Sequence, residues 1–159
     1  MPIRKKFDEA AGKICEAMLP IKHEFYLGRG KRLAICTLSS FDLLLEISRS
    51  DIMDRVAIAG RLLSENKGID TMIKFTMVHP ELRRIIVCGK EVKGHRAGQA
   101  LLALARNGID GEGRIIGALG PYPTLMSPAR DVDIFRRQVE ITDRIGTVEI
   151  SILNSAYRG

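Results

Sequence analysis

The stretch Arg84-Ile85-Ile86-Val87-Cys88-Gly89-Lys90-Glu91-Val92-Lys93-Gly94-His95-Arg96-Ala97-Gly98-Gln99, continuing through Ala100 to Asn107-Gly108, decides the architecture. After Arg84, the four residues Ile85 to Cys88 form a short apolar run rich in β-branched side chains, the pattern of a strand buried on both faces. Gly89 breaks the run. From Arg96 to Asn107 the spacing becomes helical, with Ala97, Leu101 and Leu104 on one face and Gly108 as a left-handed terminator. A strand, a glycine-containing loop and a helix make the repeating unit of an α/β fold. In such folds ligands bind at the loops that follow the strand C-termini.

The same alternation extends to both sides. Arg32 to Leu38 reads as a short apolar strand. Gly68-Ile69-Asp70 opens a helix carrying Ile69, Met72, Ile73 and Met77, which Pro80 stops. Arg114 to Leu119 is expected as a further strand closed by Gly120-Pro121. Ser127-Pro128 has the form of an N-cap followed by Pro at the first helical position. The helix it begins is expected to carry Ile134, Phe135, Ile141 and Ile145 and to end at Gly146, with Thr147 to Leu153 as a last β-type segment. At the front, Phe7, Ala10, Ala11, Ile14, Met18 and Leu19 share one face, so residues 1–20 are expected as an amphipathic helix that Pro20 ends. The expectation is one α/β domain over 1–159 with a mostly parallel sheet and ligand loops after Leu38, Cys88 and Leu119.

Composition narrows the function classes. A chain of 159 residues is the size of one domain and can bury a core without disulfide or metal support. Hydrophobic residues at 45% and charged residues at 28% exclude a disordered chain. No apolar run approaches the roughly 20 residues of a membrane-spanning helix. Met1 to Lys6 lacks the apolar centre of a secretory signal, so a cytoplasmic location is expected. Lys and Arg number 25 against 19 Asp and Glu, a net charge of +6. The basic residues are scattered and aromatics make up only 5%, so nucleic-acid binding is not expected. Cys15, Cys36 and Cys88 form no C-x-x-C pair, and Cys36 and Cys88 lie in apolar runs where a thiol packs as a small hydrophobe. Gly28 and Gly30 precede a strand instead of following one, so they are not a nucleotide fingerprint.

The loop after Cys88 concentrates the chemistry. It carries His95, between Gly89 and Gly94 on one side and Gly98 on the other; Gly98, one turn on, is expected to clear the space facing the imidazole. That ring suits several roles: axial ligand to a metal whose other ligands belong to a macrocycle, general base, or a loop histidine bonded to backbone. No nucleophile stands at motif spacing and no second histidine pairs with it as zinc would require. His79, before Pro80, is explained by the carbonyls of a helix end, and His23 is assigned no role.

Two resemblances bear on His95. His95-x-x-Gly98 is similar to part of the D-x-H-x-x-G signature of Rossmann-like cobalamin domains, although Lys93 stands at the Asp position. A longer series resembles the A-subunit of tetrahydromethanopterin S-methyltransferase: Ala57-Ile58-Ala59-Gly60, Ser64-Glu65-Asn66-Lys67-Gly68-Ile69, Ile86 to His95, Gly98-Gln99, Asn107-Gly108-Ile109-Asp110 and Gly113 to Ala118. It runs densely from Arg55 to Pro121 and loosely over Ala34 to Ser39. Two departures stand beside it. Arg61-Leu62-Leu63-Ser64 replaces the family's Pro-Cys-Lys-Thr, and the chain ends Ser155-Ala156-Tyr157-Arg158-Gly159 where family members continue into a membrane anchor.

The resemblance implies a Rossmann-like three-layer fold and a cobalamin or related cobamide as cofactor. That cofactor would accept a methyl group from methyl-tetrahydromethanopterin, or a related donor, and pass it to a thiol such as coenzyme M. His95 falls on the lower axial cobalt ligand. A ligating histidine donates its other N–H to a carboxylate or carbonyl; Glu65 is the first candidate for that partner and Glu91 the second. Gly89, Lys93, Gly94, Gly98 and Gln99 on the histidine loop, with Thr37, Leu38, Ser39, Gly117 and Gly120 on the neighbouring loops, are expected around the corrin. The implied partners are methyltransferase proteins, with no membrane span in this chain, and a homodimer is compatible with the resemblance. Rival readings are a corrinoid store without transfer activity and an α/β module that binds a nucleotide or other anion.

Overall fold

In a computed structural model covering residues 24–156, one five-stranded sheet organises the chain. The helix expected over 1–20, Cys15 and His23 lie outside the described residues. The strands are β1 (Phe25–Leu27), β2 (Leu33–Cys36), β3 (Val56–Gly60), β4 (Arg84–Val87) and β5 (Glu140–Asp143), in spatial order β1-β3-β2-β4-β5. All neighbours pair parallel except β1, which runs antiparallel to β3 at the edge. Side-chain alternation divides two cores. Ala34, Cys36, Ile85 and Val87 meet Ile69 and Ile73 of α2 (Lys67–Val78), Leu101 and Leu104 of α3 (Ala97–Asn107), and Phe135 of α4 (Ala129–Gln138). Ile35, Ile86 and Cys88 meet Leu43, Leu44 and Ile47 of α1 (Phe41–Ser48) and Leu153 of α5 (Ile150–Ala156). The protein is therefore a three-layer α/β fold with a mostly parallel sheet.

The order of connections matters for function. From β2 the chain goes through α1 to β3 on one side, then returns through α2 past β2 to β4 on the other. The strand order reverses between β2 and β4, and a crevice opens at such a switch point beyond the strand C-termini. The loops leaving these strands are laced together: Cys88 N donates to Cys36 O at 2.8 Å, Ser39 N to Lys90 O at 3.1 Å, and Lys90 N to Ser40 Oγ at 2.9 Å.

Three expected elements are corrected. Arg114 to Leu119 is not a strand: Ile115 bridges Ile109 and Arg114 bridges Thr124, while Gly113 and Gly117 adopt positive φ and break the extension. The helix after Pro128 does not reach Ile145. It stops at Gln138, whose amide turns to the carbonyls of His79 and Leu82, and the β-branched alternation of residues 139–142 becomes β5 on the open edge of β4. Residues 150–156 are helical, because β5 already occupies that edge and Ile150 and Leu153 at helical spacing reach the α1 core. The strand β3 and the helix α1 were not anticipated. Burial pushes the Cys36 and Cys88 thiols up to about 12, and Cys88 Sγ donates to Cys36 O at 3.4 Å, so both thiols are held protonated as packing groups of the core. Among the described residues no helix is long and apolar enough to cross a membrane.

Candidate functional site

The site grows from the end of β4. Gly89 turns the chain at φ +78, and a Cβ there would overlap Thr37 O, so only glycine lets the loops after β2 and β4 lie this close. The chain then passes Lys90 to His95 and enters α3 through Arg96, which adopts φ +48 and supplies no side-chain cap. Glu91 takes over that task. Its Oε1 accepts from Val92 N at 2.8 Å and Gly98 N at 3.0 Å, and its Oε2 from Gln99 N at 2.8 Å. The last two are among the first amides of α3, which a carboxylate satisfies well. Two expectations change as a result. Glu91 is the helix cap and not the partner of His95. Gly98 makes room for that cap, since its Cβ would stand 2.9 Å from Glu91 Oε2, and does not clear space over the imidazole.

Glu65, in the loop between β3 and α2, is fully buried. Its Oε2 lies 2.9 Å from His95 Nδ1, and its Oε1 accepts from Tyr122 N at 2.8 Å. Burial alone would raise this carboxyl. Hydrogen bonds from backbone N–H groups, its own and Tyr122's, together with the His95 ring, outweigh it and hold Glu65 below the usual carboxylate range. An ionised Glu65 accepts a proton-bearing Nδ1, which fixes the imidazole tautomer and leaves Nε2 as the free lone-pair donor. The His95 side chain is 46% exposed, so that donor belongs to a ring within reach of a ligand.

A third segment closes the site from the side. Gly120 is buried against His95, where a Cβ would overlap the His95 carbonyl and stand 2.8 Å from Glu65 Oε1. Gln99 Nε2 donates to Gly117 O at 2.8 Å and its Oε1 accepts from Leu119 N at 2.9 Å. At the far end Asp70 accepts from Met126 N, Ser127 N and Ser127 Oγ at 2.9, 2.9 and 2.6 Å. Ser127 is thus bonded to Asp70 and does not cap α4, whose first flanking residue is Pro128. Between these anchors Leu119, Tyr122 and Met126 keep large exposed apolar side chains.

The expected residues fall into two groups. Glu65 and Gly120 lie against His95, and Gln99 bonds Gly117 and Leu119 in the segment that leads to Gly120. Lys93 and Gly94 stand exposed on the histidine loop, and Ser39 ties that loop to β2 by donating to Lys90 O at 2.8 Å. Thr37 and Leu38 are buried beneath the loop, Leu38 at φ +51, and support it from within. Asp70 was not foreseen: its partners are 56 and 57 positions away, and nothing local distinguishes it from an ordinary first-turn acid. His79 bonds Phe75 O at 2.8 Å and stacks on Phe75, as a helix-end residue. A cavity of about 410 Å³ opens at the β1 edge, lined mainly by apolar side chains such as Phe25, Ile58 and Phe75, and includes neither His95 nor Glu65.

Residues 16–158 match the family model for the A-subunit of tetrahydromethanopterin S-methyltransferase. The chain is 36% identical over 148 residues to the A-subunit of the putative methyltransferase Mtx of Methanosarcina barkeri, covering 92% of this chain and 71% of that protein. Its counterpart in Methanosarcina acetivorans is 36% identical over 135 residues, covering 84% and 64%. The second tetrahydromethanopterin S-methyltransferase A-subunit of Methanothermobacter marburgensis is 47% identical over 91 residues, covering 56% of this chain and 49% of that protein. The chain thus spans from about half to about seven tenths of the length of these relatives.

Proposed function

Because the chain belongs to the family of tetrahydromethanopterin S-methyltransferase A-subunits, we propose that it is a corrinoid-binding methyl carrier in which His95 is the lower axial ligand of cobalt. The observation that carries this reading is the 2.9 Å contact between Glu65 Oε2 and His95 Nδ1, with Glu65 fully buried and His95 half exposed. A histidine held in this way offers one nitrogen to a metal. Among the described residues no three His, Cys, Asp or Glu side chains group as a metal site. A single histidine held in this way suits a metal whose other ligands belong to a macrocycle.

When bound, a cobamide would supply a cobalt centre able to take up and give up a methyl group. The chain's own residues bind and orient. Glu65 holds the imidazole plane and tautomer and strengthens Nε2 as a donor. Lys90, Lys93 and Arg96 are exposed along the loop and suit the phosphate of a cobamide nucleotide, since the one acid among them, Glu91, is spent on backbone N–H groups. Leu119 and Tyr122 offer apolar surface beside the ring. The donor is methyl-tetrahydromethanopterin or a related methyl compound and the acceptor a thiol such as coenzyme M, with partner methyltransferase proteins performing the two transfers.

The test is an absorption spectrum of the purified protein mixed with cobalamin and gel-filtered, beside a His95→Ala variant. The expected result is a protein-bound cobalamin spectrum whose shift depends on His95. Cobalamin bound identically by the variant would remove His95 from the metal, and no binding at all would remove the corrinoid.

A further inference from the structure

We infer that Gln99 is a positioning residue for His95, acting through the Gly117–Tyr122 segment and not on the ligand. Both ends of its amide are anchored to the protein. Nε2 donates to Gly117 O at 2.8 Å and Oε1 accepts from Leu119 N at 2.9 Å, so the plane of the amide is set by the protein. One planar amide bonded to two residues of one segment fixes both its distance and its orientation. Gln99 is also four residues from His95 and in the first turn of α3, so the clamp sits at the helix start that the histidine loop leads into.

The path from Gln99 to the imidazole is short and each step is visible. Gly120 follows directly after Leu119 and lies against the His95 carbonyl and Glu65, so closely that no side chain fits. Two residues later Tyr122 N donates to Glu65 Oε1 at 2.8 Å. Glu65 Oε2 in turn holds His95 Nδ1 at 2.9 Å. Loss of the clamp frees the Gly120 end of the segment. Glu65 then loses its donor from Tyr122, and the buried carboxylate holds the ring less firmly on its other oxygen. Asn107 at the last turn of α3 holds Ile116 O at 2.8 Å, and Asp70 holds Met126 and Ser127. The segment therefore keeps its outer anchors without Gln99, and the effect concentrates at Gly117 to Tyr122.

The consequence for cobalt rests on the reading of His95 given above, whereas the effect on the ring does not. The test compares wild type with Gln99→Met, which keeps length and helix propensity but loses both bonds, and Gln99→Glu, which keeps only the acceptor for Leu119 N. In the cofactor-free protein at fixed pH, amide exchange at Leu119 and Tyr122 is expected to rise together in Gln99→Met. The His95 Nδ1–H resonance is expected to weaken and the ring ¹⁵N shifts to move toward a mixed tautomer. Cobalamin affinity is expected to fall about tenfold, the scale on which residues that support a metal ligand act, with Gln99→Glu between the two. Faster exchange confined to Leu119, with Tyr122, the His95 ring and cobalamin affinity unchanged, would make Gln99 a loop clip and overturn the inference. If Gln99→Met does not fold, Gln99→Glu decides by the same readouts. If wild type fails to bind cobalamin, the corrinoid reading fails, and the exchange and ring signals still decide the role of Gln99.

Discussion

Glu65 lies just before α2 and Asp70 in its first turn, both buried, both facing the segment that returns from α3 to α4. Asp70 is saturated from a single corner by Met126 N, Ser127 N and Ser127 Oγ. Glu65 takes one donor from that segment, Tyr122 N, and keeps its second oxygen for His95 Nδ1. The first carboxylate is a staple; the second orients a ring. What separates them is the partner of the last oxygen and not burial or position.

Removing each carboxylate should therefore break different things. Asp70→Ala strands the buried amide and hydroxyl of Ser127 and the part-buried amide of Met126, and stability should fall by about 3 kcal/mol, since each of the two buried bonds to a charged group contributes roughly 1.5–3 kcal/mol; chemical denaturation measures it, and cobalamin affinity of the folded fraction should stay near wild type. Glu65→Gln retains an acceptor for Tyr122 N but presents an NH₂ to His95 Nδ1, favouring the wrong tautomer. Cobalamin affinity should drop about 10–100-fold with a smaller loss of stability, and equal affinity would reduce Glu65 to a second staple.

Glu91 supplies a third case, a carboxylate devoted to a helix end. Glu91→Ala should cost about 1 kcal/mol, the usual scale for a lost N-cap, and shift the melting temperature while leaving the His95 ring signals in place. The smallest effect is on pH dependence. The Glu65 carboxyl titrates in the folded protein below its ordinary value of 4.5, so it binds protons more readily when unfolded. Its contribution to stability is fully present above about pH 4.5 and is lost as pH falls through the lower folded value. Denaturation midpoints measured from about pH 7 down to about pH 3 should decline less steeply in Glu65→Gln than in wild type; parallel curves would contradict the lowered titration.

The contrast among these carboxylates also marks what was legible in the sequence. The unit from Arg84 to Gly108 could be read because an apolar run, a glycine and a helical period follow one another without long-range help. The pairing of Glu65 with His95 spans 30 positions and entered only through the family resemblance. Asp70 had no such guide. Gly98 was assigned to the wrong neighbour because Glu91, seven residues back, folds under it to cap the helix, a contact that helical periodicity does not reveal. Residues 114–119 and 139–145 depart from their sequence patterns for opposite reasons. Glycines at positive φ prevented an apolar stretch from extending, and an open sheet edge drew a β-branched stretch out of an apparent helix.

In the proposed carrier His95 offers one ring nitrogen to cobalt while Glu65 holds the other. Electron paramagnetic resonance of the protein loaded with cob(II)alamin, prepared once with natural histidine and once with ¹⁵N-histidine, tests it most directly. Each axial superhyperfine triplet is expected to become a doublet on labelling, and the protein-derived pattern to disappear in His95→Ala. Triplets that persist in the labelled protein would show that the axial nitrogen is not a histidine's, and would contradict the assignment of His95 to cobalt.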